Sequence, residues 1–318
     1  MSKSKIALLL LALAAIVLSA MNASWFAPSP KGGLVLIAHR GIGQPADPAK
    51  NEPCGARAIR ASSHAFIENT QFAMQSALRY GAGGLLLDVR ASGDGHAVVF
   101  RDAALDCRTN GTGRVADRPL AYLKRLDVGH GYTPDGGRTF PLRGRGVGGM
   151  LTVEEVLHAF GREQLIFDLA DARAADAAVA AFGRAGVAVG ASHGFAGPPE
   201  ALARLRQLTP NGWLLDNAAS AACLAGYRRT GWLGLVPEAC RGLVLHLPYD
   251  GAWTLWGWPY RFLDRMAGVE ARAFLSADPD GPALRGLDAP EQFGDVGQYM
   301  AGLLLIEDMH DVGRGIVR

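Results

Sequence analysis

From Gly33 onward, short apolar runs rich in Val, Ile and Leu alternate with stretches of helical period, and no other feature of the sequence restricts the fold as much. Residues 34–38, 84–89, 97–100, 165–169, 187–191, 212–215, 243–247 and 303–306 read as strands buried on both faces. Helices are predicted between them over 70–80, 119–126, 152–160, 172–183, 199–208 and 218–230. Alternating βα units define an α/β protein with a parallel sheet, and about eight of them define a closed (β/α)8 barrel rather than an open sheet. The chain has 318 residues, 49% of them hydrophobic and 19% charged, which supplies the core of one such domain and excludes disorder.

Two stretches break the alternation. Residues 43–66 carry Pro45, Pro48, Pro53 and Cys54, and residues 129–149 are rich in glycine with three arginines, Arg138, Arg143 and Arg145. Both exceed an ordinary βα connection. Loops on the C-terminal face of a barrel build its site, so these are either walls of a pocket or plain surface insertions.

The first thirty residues form a separate segment. Lys3 and Lys5 precede an unbroken apolar and small run, Ile6 to Met21, the order of a secretory signal or an N-terminal anchor rather than of a buried core helix. Met21-Asn22-Ala23 is a poor cleavage site, whereas Trp25 and Phe26 suit the aromatic belt of an uncleaved anchor over residues 6–26. The expected division is therefore 1–30 as signal peptide or anchor and 31–318 as the barrel. Positive charge stays inside, which places the barrel extracytoplasmically, on the periplasmic side of an inner membrane. In that compartment Cys54, Cys107, Cys223 and Cys240 are expected to form two disulfides. Cys54 with Cys107 and Cys223 with Cys240 is the simplest of three connectivities, and four buried thiols are the alternative. No C-x-x-C spacing suggests zinc, and a net charge of +2 without a basic stripe excludes nucleic acid as a partner.

Polar residues gather at the expected strand ends. His39-Arg40-Gly41 closes the first strand, Glu68-Asn69-Thr70 opens the next helix, Asp88 closes the second strand and Arg101-Asp102 the third. In a parallel barrel those ends converge, which is where polar residues read as a site. These blocks, LIAHRG, IENT, GAGGLLLDVRASGDGHAVVFRDAALDCRTNGTGRV and PLAYLKRLDVG, continued by LTVEEVLHAF and LIFDLAD, resemble the glycerophosphodiester phosphodiesterase family in order and spacing. Later stretches, GLVPEAC and LWGWPYRFLDRM, are similar to a cysteine-bearing, extracytoplasmic branch of it.

The resemblance implies hydrolysis of a phosphoric diester in lipid metabolism, with a glycerophosphodiester or phospholipid headgroup as partner. It implies a divalent cation, calcium or magnesium, on carboxylates, and two histidines as base and acid. Carried over, His39 matches the first histidine, Arg40 a phosphate-contacting arginine, and Glu68, Asp88 and Asp168 the metal carboxylates. The departures are equally specific. Leu86 stands where a glutamate would share the face of Asp88, and Arg101 stands where the second histidine belongs. Ala170 replaces a lysine, and Cys107 a common arginine. Arginine never deprotonates at working pH, so Arg101 cannot move the proton.

Two arrangements follow. Either Arg101 lies among Glu68, Asp88 and Asp168 and supplies the charge of a lost cation, or it points to solvent and a cation still binds the remaining acids. Arg101 is therefore a candidate both for the catalytic position and, with Arg40, for holding substrate. The chain is then either a weakened hydrolase or a non-catalytic barrel, a pseudoenzyme, that binds a phosphodiester, lipid headgroup or partner protein. His64 and His130 are the histidines placed to substitute. Trp253, Trp256, Trp258 and Tyr260 are expected to pack against core and helices, with a substrate wall or membrane-facing patch as alternatives.

Overall fold

The computed structural model of the chain describes residues 2–316, apart from 31, 51, 62, 63, 210, 251, 280–283 and 297–299. It divides into two compact units, the larger formed by Leu36–Leu214, Arg285–Pro290 and Leu305–Arg318, the smaller by Met1–Val35, Leu215–Leu284 and Glu291–Leu304.

The larger unit holds β1 (Leu34–His39, from Leu36 on), β2 (Gly84–Ala91), β3 (Ala97–Val99), β4 (Gln164–Leu169), β5 (His193–Ala196) and β6 (Trp213–Leu214). Strands β1, β2, β4, β5 and β6 pair in that order, all parallel. In the smaller unit β7 (Val244–Pro248), β8 (Arg272–Ser276) and β9 (Gly302–Ile306) are likewise parallel, although Leu305 and Ile306 belong to the larger unit.

Three expectations are corrected. Residues 97–100 are not a parallel stave: β3 folds back antiparallel on β2, with Val89 opposite Val99, because the turn through Ser92 to Gly95 is too short for a crossover. The parallel strand missed in the sequence is β8, whose apolar stretch, Ala273 to Leu275, is only three residues long. Residues 187–190 form a connection, and the strand begins instead at His193. Gly194 disguised it: a Cβ there would lie 2.2 Å from the Trp213 ring on β6, so only glycine permits that indole to lie across β5.

Helices Gln71–Arg79, Val153–Phe160, Ala172–Ala185 and Pro199–Leu208 form as expected, whereas 119–126 yields one turn, Leu120–Leu123. Their starts are set locally. Thr70 and Asp171 accept from the backbone N–H of Ala73 and Ala174, and Thr152 with Glu155 forms a reciprocal capping box.

The two long loops are structured. The Cys54–Cys107 disulfide ties the first to the segment after β3. Asp127 gathers the second by accepting from the N–H of Gly129, Gly144 and Gly146 at 3.0, 2.6 and 3.0 Å. Backbone bonds from Thr133 N to Ala56 O and from Ile59 N to Thr133 O join them, over a secondary core that includes Ile59, Phe100, Leu126 and Met150.

In the smaller unit, helix Lys3–Asn22 has a mean hydropathy of 2.3 over its most apolar window and no buried residue; it is long and apolar enough to cross a membrane. Cys223–Cys240 is the second disulfide, as the simplest pairing requires. An apolar N-terminal helix and two disulfides are compatible with an extracytoplasmic location. The aromatic group corrects its preferred reading: Trp258 packs on Phe262, with centroids 5.6 Å apart, but Trp253 and Trp256 are 82% and 43% exposed.

Candidate functional site

The expected rim residues of the larger unit meet around two short stretches of strained backbone. Arg40 and Asn69 both take left-handed conformations, with φ of 61° and 60°, and are joined by a bond from Asn69 N to Arg40 O of 2.8 Å. Gly41 follows at φ 78°, and a Cβ there would sit 2.7 Å from the Ala73 and Met74 backbone, so the chain passes helix Gln71–Arg79 only as glycine. This turn brings the buried His39 and Arg40 toward Asp88.

His39 Nδ1 lies 2.7 Å from Glu307 Oε2. A carboxylate only accepts, so this bond requires a ring proton on Nδ1, and when the ring is neutral the Nε2 lone pair is the one available. Nε2 is buried and makes no hydrogen bond among the described residues. Burial alone would raise the Glu307 pKa. The charges of His39 and Arg40, with hydrogen bonds from His39 and from Gly286 N, outweigh burial and hold the carboxyl well below the usual carboxylate range.

The acids are compensated by guanidinium groups. Arg40 Nε is 2.8 Å from Asp88 Oδ2, close enough to pair the charges although its N–H is not aimed at the oxygen, and Arg40 Nη1 donates to Glu307 Oε1 at 3.3 Å. Asn69 Nδ2 donates to Asp88 at 2.9 Å. Arg108, also buried, donates to Asp102 Oδ2 and to the Tyr132 hydroxyl, each at 2.8 Å, and stands 3.3 Å from Glu68 Oε1. Burial works against both arginine charges, but the surrounding acids prevail and raise both pKa values above the ordinary arginine value. Asp88 is lowered in turn: burial raises it, and Arg40, His39 and Asn69 more than offset this.

Asp168 behaves differently. It pairs in register with Asp88 across β2 and β4, two residues beyond the rung on which Leu86 faces Ile166. Burial first, then the Asp88 charge, push its carboxyl up to about 6, only partly offset by His39 and Arg40.

Arg101 is exposed, and its side chain makes no hydrogen bond or ion pair among the described residues. Its backbone carbonyl is fixed by Arg90 Nε at 2.8 Å. The position expected for it among Glu68, Asp88 and Asp168 is held instead by Arg40 and Arg108. Arg101 lines the mouth of a narrow pocket with Glu68, Asn69, Arg108 and Tyr132. Neither substitute histidine faces that pocket: His64 bonds Gln44 and stacks 4.6 Å from His310, and His130 Nδ1 lies 3.9 Å from Asp127.

The donor set fits a divalent cation poorly. Asp88 is engaged by Arg40 and Asn69, Glu68 faces Arg108, and Leu86, fully buried, offers no oxygen. The one described group of three metal-type side chains in mutual reach is Asp308, His310 and Asp311. There Asp308 accepts from the N–H of His310 and Asp311 at the start of helix Met309–Ile316.

Sequence reasoning missed Glu307, Arg108 and Tyr132. Glu307 directly follows the last strand, and the rule that selected His39 would have found it. Arg108 and Tyr132 lie in loops far from any strand end, and no local pattern marks them.

His39 bonded to Glu307, with Arg40 and Arg108 beside the neighbouring acids, forms a polar, charged cluster at the ends of parallel strands. Residues 60–178 match the glycerophosphoryl diester phosphodiesterase family model. The match includes Glu68, Asp88, Arg101 and Asp168 but not His39 or Arg40. A glycerophosphodiester phosphodiesterase of Caldanaerobacter subterraneus is 44% identical over 72 residues, 23% of this chain and 30% of that protein. A human glycerophosphodiester phosphodiesterase 1 is 38% identical over 72 residues, 23% of this chain and 22% of its own. The chain thus spans less than a third of the length of these relatives.

Among solved structures, the glycerophosphoryl diester phosphodiesterase domain of an uncharacterized Mycobacterium tuberculosis protein has a TM-score of 0.62 at 17% identity, covering 90% of this chain and 99% of that one. A phosphodiesterase of Oleispira antarctica, in complex with its product sn-glycerol-3-phosphate, has a TM-score of 0.53 at 17% identity, covering 93% and 100%. These likenesses show the fold, a (β/α)8 TIM barrel, beyond the matched segment.

Proposed function

We propose that the protein is a membrane-anchored barrel, residues 31–318 on an N-terminal anchor within 1–30, that acts on glycerophosphodiesters or phospholipid headgroups in extracytoplasmic lipid metabolism, and that its hydrolytic step is weak and independent of a divalent cation. The His39–Glu307 pair carries this reading, because it leaves His39 Nε2 as a buried base with no competing partner. Nε2 would accept the proton of the attacking hydroxyl, while Arg101 and Arg40 would hold the phosphoryl oxygens. Nothing replaces the second histidine as donor to the leaving alcohol, a loss of about 100- to 10,000-fold in rate.

The test is turnover of glycerophosphocholine and glycerophosphoethanolamine by the full chain in nanodiscs, with and without EDTA. Slow turnover that EDTA leaves unchanged and His39→Ala abolishes is expected. Turnover lost to EDTA would overturn the cation-independent mechanism.

The exposed, unpartnered Arg101 also favours a second reading, a non-catalytic receptor for a phosphodiester. That reading predicts titratable binding of sn-glycerol-3-phosphate, weakened by Arg101→Ala, without turnover. Joint Leu86→Glu and Arg101→His replacement would then bring in EDTA-sensitive hydrolysis.

A further inference from the structure

The exposed aromatic side chains of the smaller unit gather around one point, the C-terminal end of the apolar helix Lys3–Asn22. Asn22 Nδ2 donates to Trp232 O at 2.9 Å, and Asn22 lines a groove with Trp253 and Trp256. Ser24 Oγ accepts from Tyr260 N at 2.8 Å, which fixes the turn that carries Trp25 and Phe26. Arg265 closes the joint, donating from Nη1 to Asn22 Oδ1 and Gly231 O and from Nη2 to Met21 O at 2.9–3.0 Å. The end of the helix is thus built into the unit by side chains on both partners.

Around this joint, Trp25 and Trp253 are 78% and 82% exposed, and Phe26, Trp232, Leu233 and Trp256 are exposed as well. The indole N–H groups of Trp232 and Trp256 are satisfied by the carbonyls of Arg229 and Arg228, two exposed arginines in the last turn of helix Asn217–Thr230. Bare indoles beside arginines suit neither a core nor an aqueous surface. They suit the headgroup layer of a bilayer, where aromatic rings sit at the boundary and arginines meet lipid phosphates.

We infer that this face of the smaller unit lies in the membrane interface, so that the unit is seated on the bilayer through Trp253, Trp256 and Trp232 as well as tethered by the helix. The inference rests on the proposed anchor, because the bilayer is identified as the occupant by the apolar helix that leaves from the middle of the patch. Its consequence is a protein body held at the lipid surface, where headgroups are concentrated, rather than swinging above it.

The full chain, labelled with 5-fluorotryptophan and reconstituted in phosphatidylethanolamine–phosphatidylglycerol nanodiscs, tests this by ¹⁹F NMR. Trp25→Phe, Trp232→Phe, Trp253→Phe and Trp256→Phe each remove and so assign one resonance; all four side chains are surface groups, so the fold is retained. Adding a lipid spin-labelled next to its headgroup should erase most of the intensity of all four. Loss at Trp25 with sharp Trp253 and Trp256 signals would overturn the inference and leave the anchor standing, and a second copy or a protein covering the patch would give the same result. No loss at Trp25 would bring down the anchor and the seated face together.

Discussion

The two sides of the candidate site have diverged to different degrees. On the side of β1 and the residue after β9, His39, Arg40 and Glu307 form a mutually paired set in which one ring atom, His39 Nε2, has no hydrogen-bond partner among the described residues. On the side of β2 and β4, the rung expected to carry a carboxylate is Leu86 opposite Ile166, and the charge beside the remaining acids comes from Arg40 and Arg108. A site loses a cation tolerably only if another positive charge takes over its electrostatic work, because unpaired buried carboxylates are costly. The arginines do that work. They cannot carry a proton, so on the proposed reading the same exchange would weaken the chemistry.

The sharpest way to break this contrast is to remove the compensating charge. Arg108 is buried among Glu68, Asp102 and Tyr132, and Arg108→Ala leaves those groups without it. A loss of about 3–5 kcal/mol in urea denaturation is expected, the usual cost of orphaning a buried ion-pair partner. If calcium at millimolar levels restored that stability, the acids would be a latent cation site. If it did not, the arginine side of the comparison stands.

Glu307→Gln probes the other side more gently. The carboxylate fixes the proton on His39 Nδ1; an amide both donates and accepts, so the preference is lost. In ¹⁵N NMR the His39 ring should change from the Nδ1–H tautomer to a mixture, and any turnover should fall by about 10- to 100-fold. An unchanged tautomer would show that Glu307 is only a structural neighbour.

Much of the site was legible from the sequence because strand ends in a parallel barrel converge, and that rule singled out His39 and Asp88 without further information, whereas Asp168 entered only through the family resemblance. It failed where the local pattern misreports the partner. Residues 97–100 have the composition of a buried stave, yet β3 is a hairpin arm, so Arg101 leaves it in a direction that parallel pairing does not give. Arg108 was hidden for a different reason: it reaches Glu68 through loops whose geometry depends on the Cys54–Cys107 bridge and on Asp127, contacts distant in sequence. The aromatic group at Trp253 was read as packing because tryptophan is usually buried. It lines an open groove with Asn22, more than two hundred residues earlier, a neighbour that no local pattern reports.

The smallest expected effect isolates the one acid that no arginine neutralises. Asp168 titrates near 6 in the folded chain, against 3.8 in the absence of structure, because burial and the facing Asp88 disfavour its charge. The folded state therefore holds a proton that the unfolded chain has released between about pH 4 and pH 6. Stability is favoured by this group below that window and lost as pH rises through it. Asp168→Asn removes the dependence, since an amide is neutral at every pH. The variant should be more stable than the parent at pH 7 by up to about 3 kcal/mol and indistinguishable from it near pH 4, as read from paired urea titrations. A parent that gains stability over that window relative to the variant would mean that Asp168 is paired with a cation after all, and the comparison between the two sides would have to be redrawn around β4.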